Sequence, residues 1–162
     1  MIALFSALAL AASVLYVHPD RLLSARFPSK PVVTDQDTPS AVGIIRSKGA
    51  SLKTERGSYS VTAIVYPVGG TLDVEAVLNG ARDQTLKSNN AKAVSEAQIR
   101  VDGLPGREVR FESGAHVQGV TRIFARAGPP VLFAITATSK EPDPEVEKFL
   151  DSVHFGRSIE TK

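Results

Sequence analysis

Apolar and polar residues alternate along much of this chain, which predicts a protein built mainly from β-strands. The clearest alternation covers residues 58–66 and ends at Pro67. Residues 97–101, 108–112, 117–126 and 131–138 also have strand patterns, and short turns that contain glycine separate them. Strands joined by such short turns pair antiparallel, because a parallel return needs a longer crossover. The sequence therefore predicts a β-meander over residues 97–138.

Two segments have the three-to-four-residue apolar spacing of amphipathic helices. The first is predicted from Thr71, as N-cap, to about Lys87, with apolar positions at Val74, Val77, Leu78 and Ala81. The second is predicted to start at the N-cap Asp143 and to end at Gly156. Pro144 suits its first helical position, and its apolar stripe is Val146, Phe149, Leu150 and Val153.

The region before residue 58 has weaker signals. Residues 22–27 form a short alternating run, and residues 42–45 and 50–54 are weak strands parted by Ser47, Lys48 and Gly49. Residues 29–40 contain two prolines and two aspartates, which predicts an irregular connection. The fold class expected is α+β: a central antiparallel sheet covered by two helices. One domain is expected over residues 22–156, followed by a polar tail at 157–162.

Residues 2–17 carry no charge and are almost entirely apolar. As a helix they would rise about 24 Å, which is short for a bilayer core of about 30 Å but suits a secretory signal. Small residues at Ala9 and Ala11, or at Ala11 and Ser13, offer cleavage positions. Export is therefore expected, with two alternatives: a retained N-terminal anchor, or a buried first helix. No Lys or Arg precedes the run, so the signal is atypical or the true start lies upstream of Met1.

Composition removes several classes of function. The 162 residues carry a formal charge of +2, too small for a nucleic-acid footprint, and tryptophan is absent. The absence of cysteine excludes disulfides, thiolate metal sites and a thiol nucleophile. A membrane contact is expected only through the N-terminal segment. The expected partner is an unknown protein or small ligand.

Five segments of the chain together indicate a family: residues 24–31 (SARFPSKP), 59–66 (YSVTAIVY), 75–83 (EAVLNGARD), 102–111 (DGLPGREVRF) and 147–153 (EKFLDSV). They resemble exported bacterial proteins of the PsbP-like α/β/α sandwich group. The resemblance implies a central antiparallel sheet with helices on its faces and a non-enzymatic accessory or binding role. It carries no catalytic motif to transfer. The photosynthetic members serve an oxygen-evolving complex, and nothing in this sequence supports that partner.

Motifs for catalysis, cofactors or metals are missing from the sequence. His18, His116 and His154 have no metal-ligand spacing, and neither a nucleophile elbow nor a phosphate-binding glycine loop occurs. Asp35 and Asp37 lack the further oxygen ligands of a calcium loop. No catalytic, cofactor or metal residue is therefore predicted.

One charged constellation allows two interpretations. Four arginines fall on one strand parity, interleaved with Glu96, Glu108 and Glu112; they are Arg100, Arg110, Arg122 and Arg126. Opposite charges on neighbouring strands form ion pairs, which explains the pattern without a ligand. Alternatively, guanidinium groups gathered in a groove would bind a carboxylate or phosphate.

The function expected from the sequence is a non-enzymatic exported domain that binds a protein or small ligand in the cell envelope. The alternative is an envelope enzyme whose site is assembled from scattered carboxylates and arginines.

Overall fold

The computed structural model describes residues 12–156 except positions 68, 70, 71 and 115. The strands and helices follow one another along the chain as β1 (Val14–Val17), β2 (Leu23–Phe27), β3 (Val32–Ser40), β4 (Gly43–Lys53), β5 (Gly57–Val65), α1 (Val74–Ser88), β6 (Ala91–Val101), β7 (Leu104–Ser113), β8 (Gln118–Arg126), β9 (Val131–Ser139), α2 (Pro144–Asp151) and β10 (His154–Phe155). No helix among these residues is long and apolar enough to cross a membrane.

Seven strands form one antiparallel sheet in the order β3-β4-β5-β9-β8-β7-β6. Strands β6 to β9 pair with their neighbours in the chain, which confirms the predicted meander. Strand β5 pairs with β9, so α1 carries the chain from the middle of the sheet to its far edge at β6. A second, three-stranded sheet has the order β1-β2-β10.

The two helices lie on opposite faces of the large sheet because side chains alternate along each strand. Phe124 packs in one core with the α2 residues Phe149 and Leu150, and we call this side the α2 face. The next residue back, Ile123, packs with Leu78 of α1 on the other side, the α1 face. The three-stranded sheet shares the α2 face with α2. The predicted antiparallel α+β fold is confirmed, but α2 does not cover its face alone.

Strands β3 and β4 correct two predictions. The predicted irregular connection at residues 29–40 is wrong, because it contains the nine-residue strand β3. This strand lies at the sheet edge and is exposed on both sides, so folding demands no apolar alternation, and Pro39 is tolerated there. The two weak strands are one continuous strand, β4. Gly49 does not interrupt it. The neighbouring strand β5 comes so close here that a Cβ would lie 2.1 Å from the carbonyl oxygen of Val61, so only glycine fits.

The N-terminal boundary also differs from the prediction. Residues 14–17 form β1, which pairs with β2, so the domain begins before the predicted residue 22. Tyr16 of β1 is 7% exposed and packs edge-on against Phe27, with 6.3 Å between ring centroids. The apolar run therefore belongs partly to the fold. The remainder of the predicted signal, residues 1–11, and the predicted tail at 157–162 lie outside the described residues.

The helix and turn signals were mostly correct. Asp73, and not Thr71, is the N-cap of α1, and its carboxylate accepts a hydrogen bond from the Ala76 amide at 3.1 Å. Helix α2 begins as predicted but ends at Asp151, because β10 follows before Gly156. Asp102 and Gly103 both have positive φ, 49° and 82°, so they make the two-residue hairpin turn alone. The residues predicted to extend this turn, 105 and 106, belong to β7.

Candidate functional site

The four arginines singled out in the sequence do not share one surface. Residues 99 and 101 of β6 pack into the core of the α2 face, so Arg100 between them points to the α1 face. There Arg100 donates to the carbonyl of Gly103 at 2.8 Å, within its own hairpin. Arg110, Arg122 and Arg126 do lie on the α2 face. The prediction that all four form one basic set is therefore wrong for Arg100.

Arg110 and Arg122 are engaged by carboxylates. Glu108 accepts from Nε of both arginines, at 3.0 Å from Arg110 and 2.8 Å from Arg122. On α2, Glu147 accepts from Arg110 at 2.9 Å and Asp151 accepts from Arg122 at 3.0 Å. These bonds join β7 and β8 to the helix. They match the ion-pair interpretation of the arginine pattern.

The pKa shifts agree with this geometry. The hydrogen bond to Glu147 raises the pKa of Arg110. Burial alone would lower the pKa of Arg122, but its bonds to Glu108 and Asp151 outweigh burial and raise it. Both guanidinium groups are thus firmly charged and held by the protein's own carboxylates.

Arg126 has a different environment. Its Nη2 donates to the carbonyl of Gly156 at 2.9 Å, and its guanidinium lies 5.5 Å from the ring centroid of Phe133. Burial lowers its pKa. Arg126 therefore braces the segment after β10 against the sheet. The four guanidinium groups of the predicted anion groove are therefore not all on one face, because Arg100 lies on the other side of the sheet.

A groove of about 530 Å³ lies beside α2 on the large sheet, and we call it the α2 groove. Its walls come from β6, β7, β8, the end of β9 and the start of α2. The apolar side chains in its lining include Val94, Val120, Ala137 and Val146. The charged lining consists of Arg110, Glu112, Asp143 and Glu147. An apolar floor with a few charged groups at its rim is the usual composition of a ligand site.

A β-bulge shapes one wall of the groove. The register between β6 and β7 shifts between Ala93 and Ser95, so Val94 is the extra residue. Val94 is 68% exposed and lines the groove. Bulges redirect a side chain and are common beside functional sites. Sequence analysis missed this residue because a one-residue bulge leaves no distinct signal in an alternating pattern.

A helix cap fixes one end of the groove. The Asp143 carboxylate accepts from the Glu145 amide at 3.0 Å and holds the start of α2. Gly119 shares the strand parity of Ile123, so the Phe111 ring beside it lies on the α1 face, behind the groove. A Cβ on Gly119 would lie 2.2 Å from Cζ of this ring, so only glycine leaves room for it.

The three histidines lie in three different environments. His116 is exposed in the turn after β7, as predicted. His154 was predicted at the end of the last helix but lies in β10, with Nδ1 3.5 Å from the Asp102 carboxylate. His18 is 1% exposed, and its Nδ1 accepts from the Asp20 amide at 3.1 Å. Within the described ranges, no three His, Asp or Glu residues are grouped to hold a metal ion.

The strand order, the helices on opposite faces and the second small sheet define the class of fold, an antiparallel α+β domain. Among solved structures, the chain is similar to cyanobacterial PsbP (CyanoP) from Synechocystis sp. PCC 6803, known from a solution structure. The TM-score is 0.58 at 12% identity, over 96% of this chain and 99% of CyanoP. The chain therefore has a PsbP-like fold.

A crystal structure of a protein from Bacteroides thetaiotaomicron is also similar, with a TM-score of 0.39 and 12% identity, over 91% of this chain and 50% of that protein. No protein-family model matches the chain. No curated protein matches it.

Proposed function

We propose that this protein is a non-enzymatic domain of the cell envelope that binds a protein or small ligand in the α2 groove. The observation that carries the proposal is the groove itself, an open volume of about 530 Å³ with an apolar floor and a charged rim. Ligand sites in proteins are commonly of this size and composition. The PsbP-like fold, which the sequence resemblance associates with accessory and binding roles, supports it further.

The charged groups beside the groove support binding over catalysis. An acid–base mechanism needs a carboxylate or imidazole free to exchange a proton with a substrate. Glu108 and Glu147 instead bond to Arg110 and Arg122. None of the histidines lines the groove. The alternative, an envelope enzyme, would have to rely on Glu112, because Glu147 is ion-paired and Asp143 caps α2.

Export is the second part of the proposal. The apolar residues 2–10 fit the core of a secretory signal. Cleavage after Ala11 or Ser13 would leave β1 intact, whereas cleavage after Val17 would remove the buried Tyr16. We therefore expect the mature protein to begin at residue 12 or 14. Intact-mass measurement of the protein recovered from the envelope fraction tests this, and an uncleaved chain in the cytoplasm would contradict it.

Capture from envelope extracts tests the binding function. The immobilised protein is compared with Val94→Glu, which places a charge in the groove wall, and with Val42→Glu. Val42 is 76% exposed at the tip of the β3–β4 hairpin, away from the groove, so it is the matched control. We expect a specific partner to be retained by the wild type and by Val42→Glu and lost by Val94→Glu. Equal capture by all three would mean that the groove is not the binding site.

A further inference from the structure

The α2 groove is acidic, although the whole chain has a formal charge of +2. Three carboxylates and one guanidinium line it: Glu112, Asp143, Glu147 and Arg110. The ion pairs of the second arginine, Arg122, add Glu108 and Asp151. Five carboxylates against two guanidinium groups leave a formal charge of −3 on this surface.

Neighbouring cations do not reverse this sign. Lys92 lies opposite Glu112 in the β6–β7 register, and including it still leaves −2. An adjoining cavity shares Asp143 and is also lined by Glu55, Arg56, Lys140 and Glu141, whose charges cancel. The acidic character therefore belongs to the groove.

The two features that would attract an anion, the N-terminus of α2 and the guanidinium of Arg110, already interact with carboxylates of the protein. The positive end of α2 is capped by Asp143, and Glu145 and Glu147 occupy its first turn. Arg110 donates from both Nε and Nη2 to carboxylates. In contrast, Glu112 is exposed and makes no ion pair with any described residue. Among the charged groups that line the groove, the one left to recognise a ligand charge is thus a carboxylate.

The apolar wall lies close to this carboxylate. Val94 and Val120 come from strands on either side of β7, which carries Glu112. Val146 of α2 also lines the groove. A ligand that fills this space presents apolar side chains to the valines and a positive charge to the rim.

We propose that the occupant of the α2 groove is a basic peptide segment of a partner protein, one that carries Lys or Arg beside apolar side chains. This inference rests on the proposed binding function. Complementary charge sets both the choice of partner and the rate of association, and it makes binding sensitive to salt.

Three fluorescently labelled peptides of one length test the proposal by anisotropy titration. Each alternates leucine with a second residue, which is lysine, glutamate or serine. We expect the lysine peptide to bind more tightly than the other two, and its affinity to fall as salt rises from about 50 to about 200 mM. Glu112→Gln should weaken the lysine peptide about two- to five-fold, and Val94→Ser should also weaken it. Asp37→Asn, an exposed carboxylate of β3, is the control that should change nothing.

The outcomes separate this inference from the proposed function. If all three peptides bind equally and Val94→Ser weakens each, the groove binds ligands without charge preference, and the basic-peptide inference is wrong. If the lysine peptide binds but neither groove variant affects it, binding occurs elsewhere, which also overturns the inference. If no peptide binds and envelope capture is insensitive to Val94→Glu, the proposed function itself fails.

Discussion

Glycines in this protein occupy positions whose packing cannot be read from the sequence. Gly49 looked like a break between two strands. In the fold it lies in the middle of β4, where the Val61 carbonyl of β5 occupies the space of a side chain. A Cβ added to Gly80 of α1 would have no other atom within 4 Å. Gly49 therefore has to be small, whereas no neighbouring atom requires Gly80 to be small.

This contrast predicts opposite effects of one substitution. Gly49→Ala should lower the free energy of unfolding by about 1–3 kcal/mol, because the added methyl overlaps a neighbouring strand. Gly80→Ala should raise it by about 0.5–1 kcal/mol, because alanine favours an exposed helix interior. Urea denaturation of the two variants measures both. Equal effects would show that the contact at Gly49 is relieved by a small backbone shift.

His18 is a buried polar residue that holds the β1–β2 turn. Its Nδ1 accepts from the Asp20 amide, so the neutral ring carries its proton on Nε2. This Nε2 and the hydroxyl of Tyr16 are both buried without a hydrogen-bond partner among the described residues. Burial lowers the pKa of His18; Lys48 lowers it further, while Asp20 and Asp35 oppose this.

A lowered histidine pKa makes stability depend on pH. Below the ordinary pKa of about 6.5 the unfolded chain binds the proton more readily than the folded chain. Stability should therefore fall as pH drops below this value, until the folded-state pKa is passed. His18→Asn can still accept from the Asp20 amide but does not titrate. We expect its unfolding free energy, measured by urea at pH 5 to 7.5, to lose less on acidification than the wild type; parallel curves would contradict this.

At the scale of elements, the two central strands were readable from the sequence, whereas the edge strand β3 was not. Strands β5 and β9 pair with each other at the centre of the sheet, and their apolar residues are buried, which explains their clear apolar pattern. Edge strand β3 buries almost nothing, so its sequence is free to contain Asp35, Asp37 and Pro39. Strand β1 was hidden for another reason, because its residues continue an apolar run that resembles a signal.

Strand β1 gives a prediction for truncation. A chain starting at residue 14 should keep the stability of one starting at residue 12, because both retain the pairing of β1 with β2. A chain starting at residue 18 loses the Tyr16 ring from the core and should be less stable by at least about 3 kcal/mol. Thermal unfolding of the three chains decides this. Similar melting temperatures would mean that β1 is dispensable.

For the whole molecule, the sequence predicted the order of most elements but not the site. Turn glycines, helix caps and alternating strands are local signals, so the meander and α2 could be predicted. The α2 groove depends on contacts that form only in the fold. They are the bulge at Val94 and the ion pairs of Glu108 with Arg110 and Arg122, which bond in turn to α2. The sequence singled out Arg110 and Arg122, but their partners on α2, Glu147 and Asp151, come beside them only in the fold.

The strand order β1-β2-β10 brings the two ends of the described chain beside the same strand. Val14 lies opposite Phe27 and Phe155 opposite Leu23, so with strands about 4.8 Å apart and about 3.3 Å per residue the two ends are about 16 Å from each other. A short glycine-rich linker could therefore join the ends, and new termini could be opened at the exposed tip of the β3–β4 hairpin. Such a circular permutant would carry affinity tags or fusion partners far from α2, which leaves the groove accessible for partner screening.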